Sequence, residues 1–99
     1  QADINELIHP STTMKIEQGQ VLLEQNENYD FMVGIVEGTV DIFVKNKWVG
    51  HVGSGKILGE LAMMSSVPCE YTAVAATDIV CVEIWHEILQ PILEESEED

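Results

Sequence analysis

Gly59-Glu60-Leu61-Ala62-Met63-Met64-Ser65-Ser66-Val67-Pro68-Cys69 is the stretch on which the reading of this chain turns. A glycine and an acid open a short apolar run, and a proline-containing loop closes it. A glycine leading into a short helix leaves backbone N–H groups pointing outward, and an anion such as a phosphate can rest on them. The same residues also read as a surface turn followed by one buried helical turn. Tyr71-Thr72-Ala73-Val74-Ala75-Ala76 comes next, a strand of mostly small residues, which predicts space beside it for something to pack.

Upstream, the pattern is of short strands broken by turns. Val21-Leu22-Leu23-Glu24 is a strand between the turn signals Gln18-Gly19-Gln20 and Gln25-Asn26-Glu27-Asn28, with Asn26 suited to positive φ. Residues 31–36 are apolar and β-branched, and Gly34 within them marks a bulge or a close backbone approach. Glu37-Gly38 is a turn. In Thr39-Val40-Asp41-Ile42-Phe43-Val44 the valines and the isoleucine alternate onto one face. Lys45-Asn46 is a hairpin tip, residues 47–52 return with Trp48 and His51, and Gly53-Ser54-Gly55 is a flexible turn.

Downstream, residues 79–84 alternate, with Ile79, Cys81 and Glu83 opposite Val80, Val82 and Ile84. Residues 85–93 read as a helix that Pro91 kinks or ends, and residues 94–99 as a solvated acidic tail or, alternatively, a docking segment for a basic partner. At the other end Ile4, Leu7 and Ile8 recur at helical spacing, so residues 1–12 read as a short helix and turn. Strands at roughly 8–12-residue spacing with glycine punctuation predict a mainly β fold, a double-stranded β-helix of the jelly-roll or β-roll kind with short flanking helices. Residues 13–84 would form the roll, and within it 53–74 would hold the glycine-led stretch quoted above, the segment that the resemblance named below implies to be cassette-like.

Composition narrows the function classes. The chain has 99 residues, 45% of them hydrophobic, which is enough for one domain with a modest core. It carries 18 acids against four bases, for a net charge of −14. The bases are Lys15, Lys45, Lys47 and Lys56, and there is no arginine. Such a surface repels nucleic acid. No apolar run reaches membrane-span length and the first residues lack a signal-peptide pattern, so no direct membrane insertion is expected. The start at Gln1 suggests a fragment of a longer protein. Cys69 and Cys81 have no metal or redox spacing and suit a reducing, cytoplasmic setting. His9, His51 and His86 are scattered, and no nucleophile–base constellation is visible. No enzyme, metal or cofactor is expected.

Taken together, these signals resemble the cyclic-nucleotide-binding domain family, found in protein kinase A regulatory subunits, gated channels, exchange factors and catabolite activators. Gln18-Gly19-Gln20-Val21-Leu22-Leu23-Glu24-Gln25-Asn26 looks like the family's early strand, and Glu37-Gly38-Thr39-Val40 like its central Gly-x-Val turn. Gly53-Ser54-Gly55-Lys56-Ile57-Leu58-Gly59-Glu60-Leu61-Ala62 looks like the run into the phosphate-binding cassette. The resemblance implies a regulatory domain for cAMP or cGMP, with Gly59, Glu60, Leu61, Ala62, Cys69 and Thr72 at the ligand. Helix N–H groups would meet the phosphate, Glu60 would accept from the ribose 2′-hydroxyl, and Thr72 would touch phosphate or base.

The chain departs from the family at the phosphate clamp. The arginine whose planar fork holds the phosphate falls on Cys69, or on Glu70 if one residue is inserted. Each charge-assisted hydrogen bond contributes on the order of 1.5–3 kcal/mol, so loss of the pair predicts roughly a hundredfold weaker binding. Lys56, the one base near the cassette, lacks the fork and reads as a weak attractor or a solvated turn residue. For the helix that closes over the base in the family, two alternatives stand: it lies beyond Asp99 in the parent protein, or it is missing. Two readings follow: weak or altered sensing of cAMP or cGMP within a larger channel, transporter or regulatory subunit, or a ligand-free domain serving protein interaction and assembly.

Overall fold

The structure, a computed structural model, describes residues 13–87. Its elements, in chain order, are β1 (Thr13–Ile16), β2 (Val21–Leu23), β3 (Phe31–Glu37), β4 (Val40–Val44), β5 (Lys47–Val52), β6 (Ile57–Leu58), α1 (Glu60–Ser65), β7 (Thr72–Ala75) and β8 (Ile79–Trp85). The turn residues fall where local chemistry puts them. Asn26 has φ 72°, and the β4–β5 tip uses Lys45 and Asn46 at φ 51° and 67°, the doubly left-handed pair of a tight hairpin.

The strands form two four-stranded sheets, ordered β1-β8-β3-β6 and β2-β7-β4-β5, with every pairing antiparallel. Neighbours within each sheet are mostly distant in sequence, which is the roll topology expected from the sequence. One core cluster lies between the sheets and draws on both: Leu23, Val33, Ile35, Val40, Leu58, Ala73, Ala75, Ile79 and Cys81 meet there with Ala62 and Cys69. A second cluster joins Met32, Val82 and Ile84 to Met63 of α1. β3 and β8 therefore bury both faces, one for each cluster. The two-sided apolar alternation of residues 79–84 is the sequence trace of that arrangement.

Two strands go unread in the sequence, and two expectations need correction. Thr13–Ile16 is a strand paired with β8, although its mostly exposed Thr-Met-Lys-Ile shows no inward face to betray it. Ile57–Leu58 is a strand too short to carry a periodicity. Trp85 ends β8 rather than opening a helix: it pairs with Phe31, and the two rings meet at a tilt of 49° with centroids 4.7 Å apart. His86 and Glu87 are helical. The remainder of the helix expected over 85–93, the N-terminal helix over 1–12 and the tail over 94–99 lie outside the described residues. Finally, the space beside the small residues of β7 is filled, since Ala73 and Ala75 face the main cluster. Gly34 marks a close approach, with Val82 Cγ2 3.2 Å from where a Cβ would stand, and the bulge falls just after it, between Ile35 and Glu37.

Leu23 is fully buried in the main cluster, and its Cδ1 lies 3.1 Å from where a Cβ on Gly59 would stand. Leu23→Ala should cost about 3 kcal/mol of stability through lost transfer energy and a residual cavity. Urea unfolding checks this, and a shift of less than about 1 kcal/mol would show that the core collapses around the gap.

Candidate functional site

β6 ends at Leu58, and the chain reverses at Gly59 in the left-handed region, with φ 76° and ψ 13°. Leu23 Cδ1 lies 3.1 Å from where a Cβ would sit, so the position is closed to larger residues by backbone angle and by packing together. α1 follows, opened by the Met63 N–H bond to the Gly59 carbonyl at 3.0 Å and ended by Ser66 at φ 54°. Ala62 and Met63 are its buried residues, while Glu60, Leu61 and Met64 face solvent. No side chain of the N-cap residue caps the helix. Instead the Gly59 N–H donates to the Tyr71 hydroxyl at 2.7 Å.

After Pro68 the chain passes through Cys69, which is 2% exposed. A neighbouring turn fixes its backbone: the Cys69 N–H donates to Glu27 O and its carbonyl accepts from Asn26 N–H, both at 2.8 Å. The thiol points to the Tyr71 carbonyl at 3.3 Å.

These elements enclose a cleft of about 110 Å³ lined by Ile57, Gly59, Glu60, Leu61, Ala62, Cys69, Glu70 and Tyr71. Five of the six residues expected at the ligand, Gly59, Glu60, Leu61, Ala62 and Cys69, therefore meet in one place. Thr72 does not line it. Its Oγ1 accepts from Gln25 N–H at 3.0 Å, and it borders a separate polar depression of about 480 Å³ formed with Glu24, Gln25, Asn26, Glu27, Lys45 and Asn46. Lys56 is exposed and does not line the cleft either.

The charge at the cleft is acidic, from Glu60 and Glu70, with no base in its lining. Burial pushes the Tyr71 phenol above its usual value; the bond from Gly59 opposes this, and Cys69, Glu70 and Glu60 add to it. The hydroxyl is thus neutral at ordinary pH. Tyr71 is the site residue that sequence reasoning missed. The available signal was one large polar aromatic heading a strand of otherwise small residues, but its reach back to Gly59 is a contact through space.

The model of the cyclic nucleotide-binding domain matches residues 13–96. The chain belongs to the cyclic nucleotide-binding domain family. Among curated relatives, the cAMP-dependent protein kinase regulatory subunit of Eremothecium gossypii is 40% identical over 65 residues, which span 66% of this chain and 14% of that protein. The chain thus corresponds to a small part of that relative. Among solved structures, the Thermus thermophilus catabolite activator protein superposes with a TM-score of 0.77 at 17% identity, covering 86% of this chain and 42% of the other. The regulatory subunit of a cAMP-independent protein kinase A from Trypanosoma brucei gives 0.69 at 22% identity, covering 88% and 35%. At these identities the structural likeness establishes the β-roll fold. The resemblance drawn from the cassette residues and the strand order is the one these comparisons bear out.

Proposed function

We propose that this cyclic nucleotide-binding domain is a regulatory, non-catalytic part of a larger protein on the cytosolic side, and that it senses cAMP or cGMP weakly or in altered form. The observation that carries this reading is the cassette geometry itself. Gly59 turns the chain in the left-handed region, where Leu23 crowds any added Cβ, and Glu60 follows at the rim of the same cleft as Ala62 and position 69. A carboxylate placed there is suited to a ribose hydroxyl, whereas the acidic rim and the missing fork disfavour the phosphate. Nucleic acid is an unsuitable partner for a chain of net charge −14. Among the described residues no helix is long and apolar enough to cross a membrane. Cys69 and Cys81 are both free and buried, which fits a reducing compartment.

The second reading, a ligand-free interaction and assembly module, is favoured by the small size of the cleft and by the Tyr71 hydroxyl already bonded to Gly59. The fold does not decide between the two, because function resides in the site and not in the roll.

Titrating the 99-residue chain with cAMP and with cGMP while following backbone amide shifts separates them. Weak sensing predicts localised shifts at Gly59 to Ala62, and Glu60→Ala should then weaken binding about tenfold through loss of one charge-assisted hydrogen bond. Silence at millimolar nucleotide rules out sensing and leaves the interaction module.

A further inference from the structure

We propose that Tyr71 is the residue that closes the cassette cleft, its hydroxyl standing on the Gly59 N–H as an internal substitute for a ligand oxygen. This rests on the reading of the cleft as a nucleotide site. Three observations converge. The Tyr71 oxygen lies 2.7 Å from the Gly59 nitrogen, so a donor that the start of α1 would otherwise offer is already satisfied. The ring packs against the main core cluster, which holds the hydroxyl in place rather than leaving it to swing into solvent. The remaining cleft is about 110 Å³, well below the roughly 300–1,000 Å³ of small-molecule sites.

A ligand entering here must first displace the phenol. A ribose hydroxyl then exchanges one neutral hydrogen bond for another at Gly59 and gains little from that contact, and a phosphate oxygen gains only the difference between a charge-assisted bond and the one it displaces. The ligand must also push aside a ring that is anchored in the core. Together with the absent arginine, this lowers the affinity of the site: the chain's own side chain competes with any oxygen-bearing ligand, and it is covalently present at every moment.

The test uses two variants of the 99-residue chain. Tyr71→Phe removes the hydroxyl and keeps the ring; Tyr71→Ala removes both. Cyclic AMP and cyclic GMP are the probes, with calorimetry for affinity and the Gly59 amide resonance and its hydrogen exchange as a second readout. Tyr71→Phe should expose the Gly59 N–H, speed its exchange and raise affinity about threefold. Tyr71→Ala should raise affinity about tenfold or more by opening the cleft as well. If the parent chain binds nothing but Tyr71→Ala binds, weak sensing fails while the closure by Tyr71 stands. If folded Tyr71→Ala binds no better than the parent, closure by Tyr71 is overturned. Should Tyr71→Ala not fold, Tyr71→Phe decides: an unchanged affinity together with an unchanged Gly59 exchange rate overturns the proposal.

Discussion

Cys69→Arg introduced into the Tyr71→Ala background should bind cyclic AMP about a hundredfold more tightly than Tyr71→Ala alone. The expectation rests on where position 69 lies. It lines the same cleft as Gly59 and Glu60, and its backbone is fixed on both sides by Glu27 and Asn26. A guanidinium projected from there supplies two parallel N–H groups to a phosphate, worth about 3 kcal/mol once the pair is desolvated. The same change made alone should behave differently. Cys69 is 2% exposed within the main cluster, with its thiol on the Tyr71 carbonyl, so an arginine there buries a charge among apolar neighbours with no anion to meet it. The single variant should therefore lose stability and gain little affinity. Calorimetry and thermal unfolding on all four members of the cycle measure the coupling. Equal affinities for Tyr71→Ala and the double variant would show that the cleft is no longer shaped for a phosphate.

Gly38→Val should be the most damaging single change to the fold, at about 4 kcal/mol or more. Gly38 sits at φ 104°, where a β-branched residue is strained in any surroundings. Here the surroundings also forbid it. A Cβ would come within 2.5 Å of the Asp78 carbonyl oxygen, 2.6 Å of Ile79 Cδ1 and 3.0 Å of Thr77 Oγ1. The backbone cannot give way, because two turns are bonded to each other at this point: the Thr39 N–H donates to Thr77 Oγ1 at 3.0 Å, and the Thr39 carbonyl accepts from Ala76 N–H at 2.9 Å. For a domain of this length the loss corresponds to a fall in Tm of about 16 °C or more. Circular dichroism on heating reads it. A fall of only a few degrees would mean that the two turns can separate without cost.

The parts of this structure that were legible in the sequence are those set by local chemistry. Asn26, Asn46 and Gly59 have residue types suited to their left-handed angles, whereas Lys45 at φ 51° takes its angle from the hairpin around it. The apolar run of β3 and the alternation of β8 declare their burial, and the alternation of residues 39–44 declares a strand. β1 was not legible because an edge strand with a mostly exposed face has no periodicity to detect. Trp85 was misplaced because an aromatic continuing a strand and one opening a helix look alike until its partner Phe31 is known. Gly59, Glu60, Leu61, Ala62 and Cys69 line one cleft because they are close in sequence. Tyr71 was missed and Thr72 was placed with the others, although consecutive residues around the start of a strand point to opposite sides.

The cassette helix has a mechanical property that follows from two adjacent side chains. Ala62 is buried in the cluster between the sheets, and Met63 in the cluster that involves Met32, Val82 and Ile84. Neighbouring positions on a helix point about 100° apart, so these two act as a pair of keels set at an angle. Rolling α1 about its own axis to loosen one drives the other into close-packed neighbours. The helix is thereby denied its softest motion, and the floor of the cleft keeps its shape whether the oxygen resting on Gly59 belongs to a ligand or to the chain.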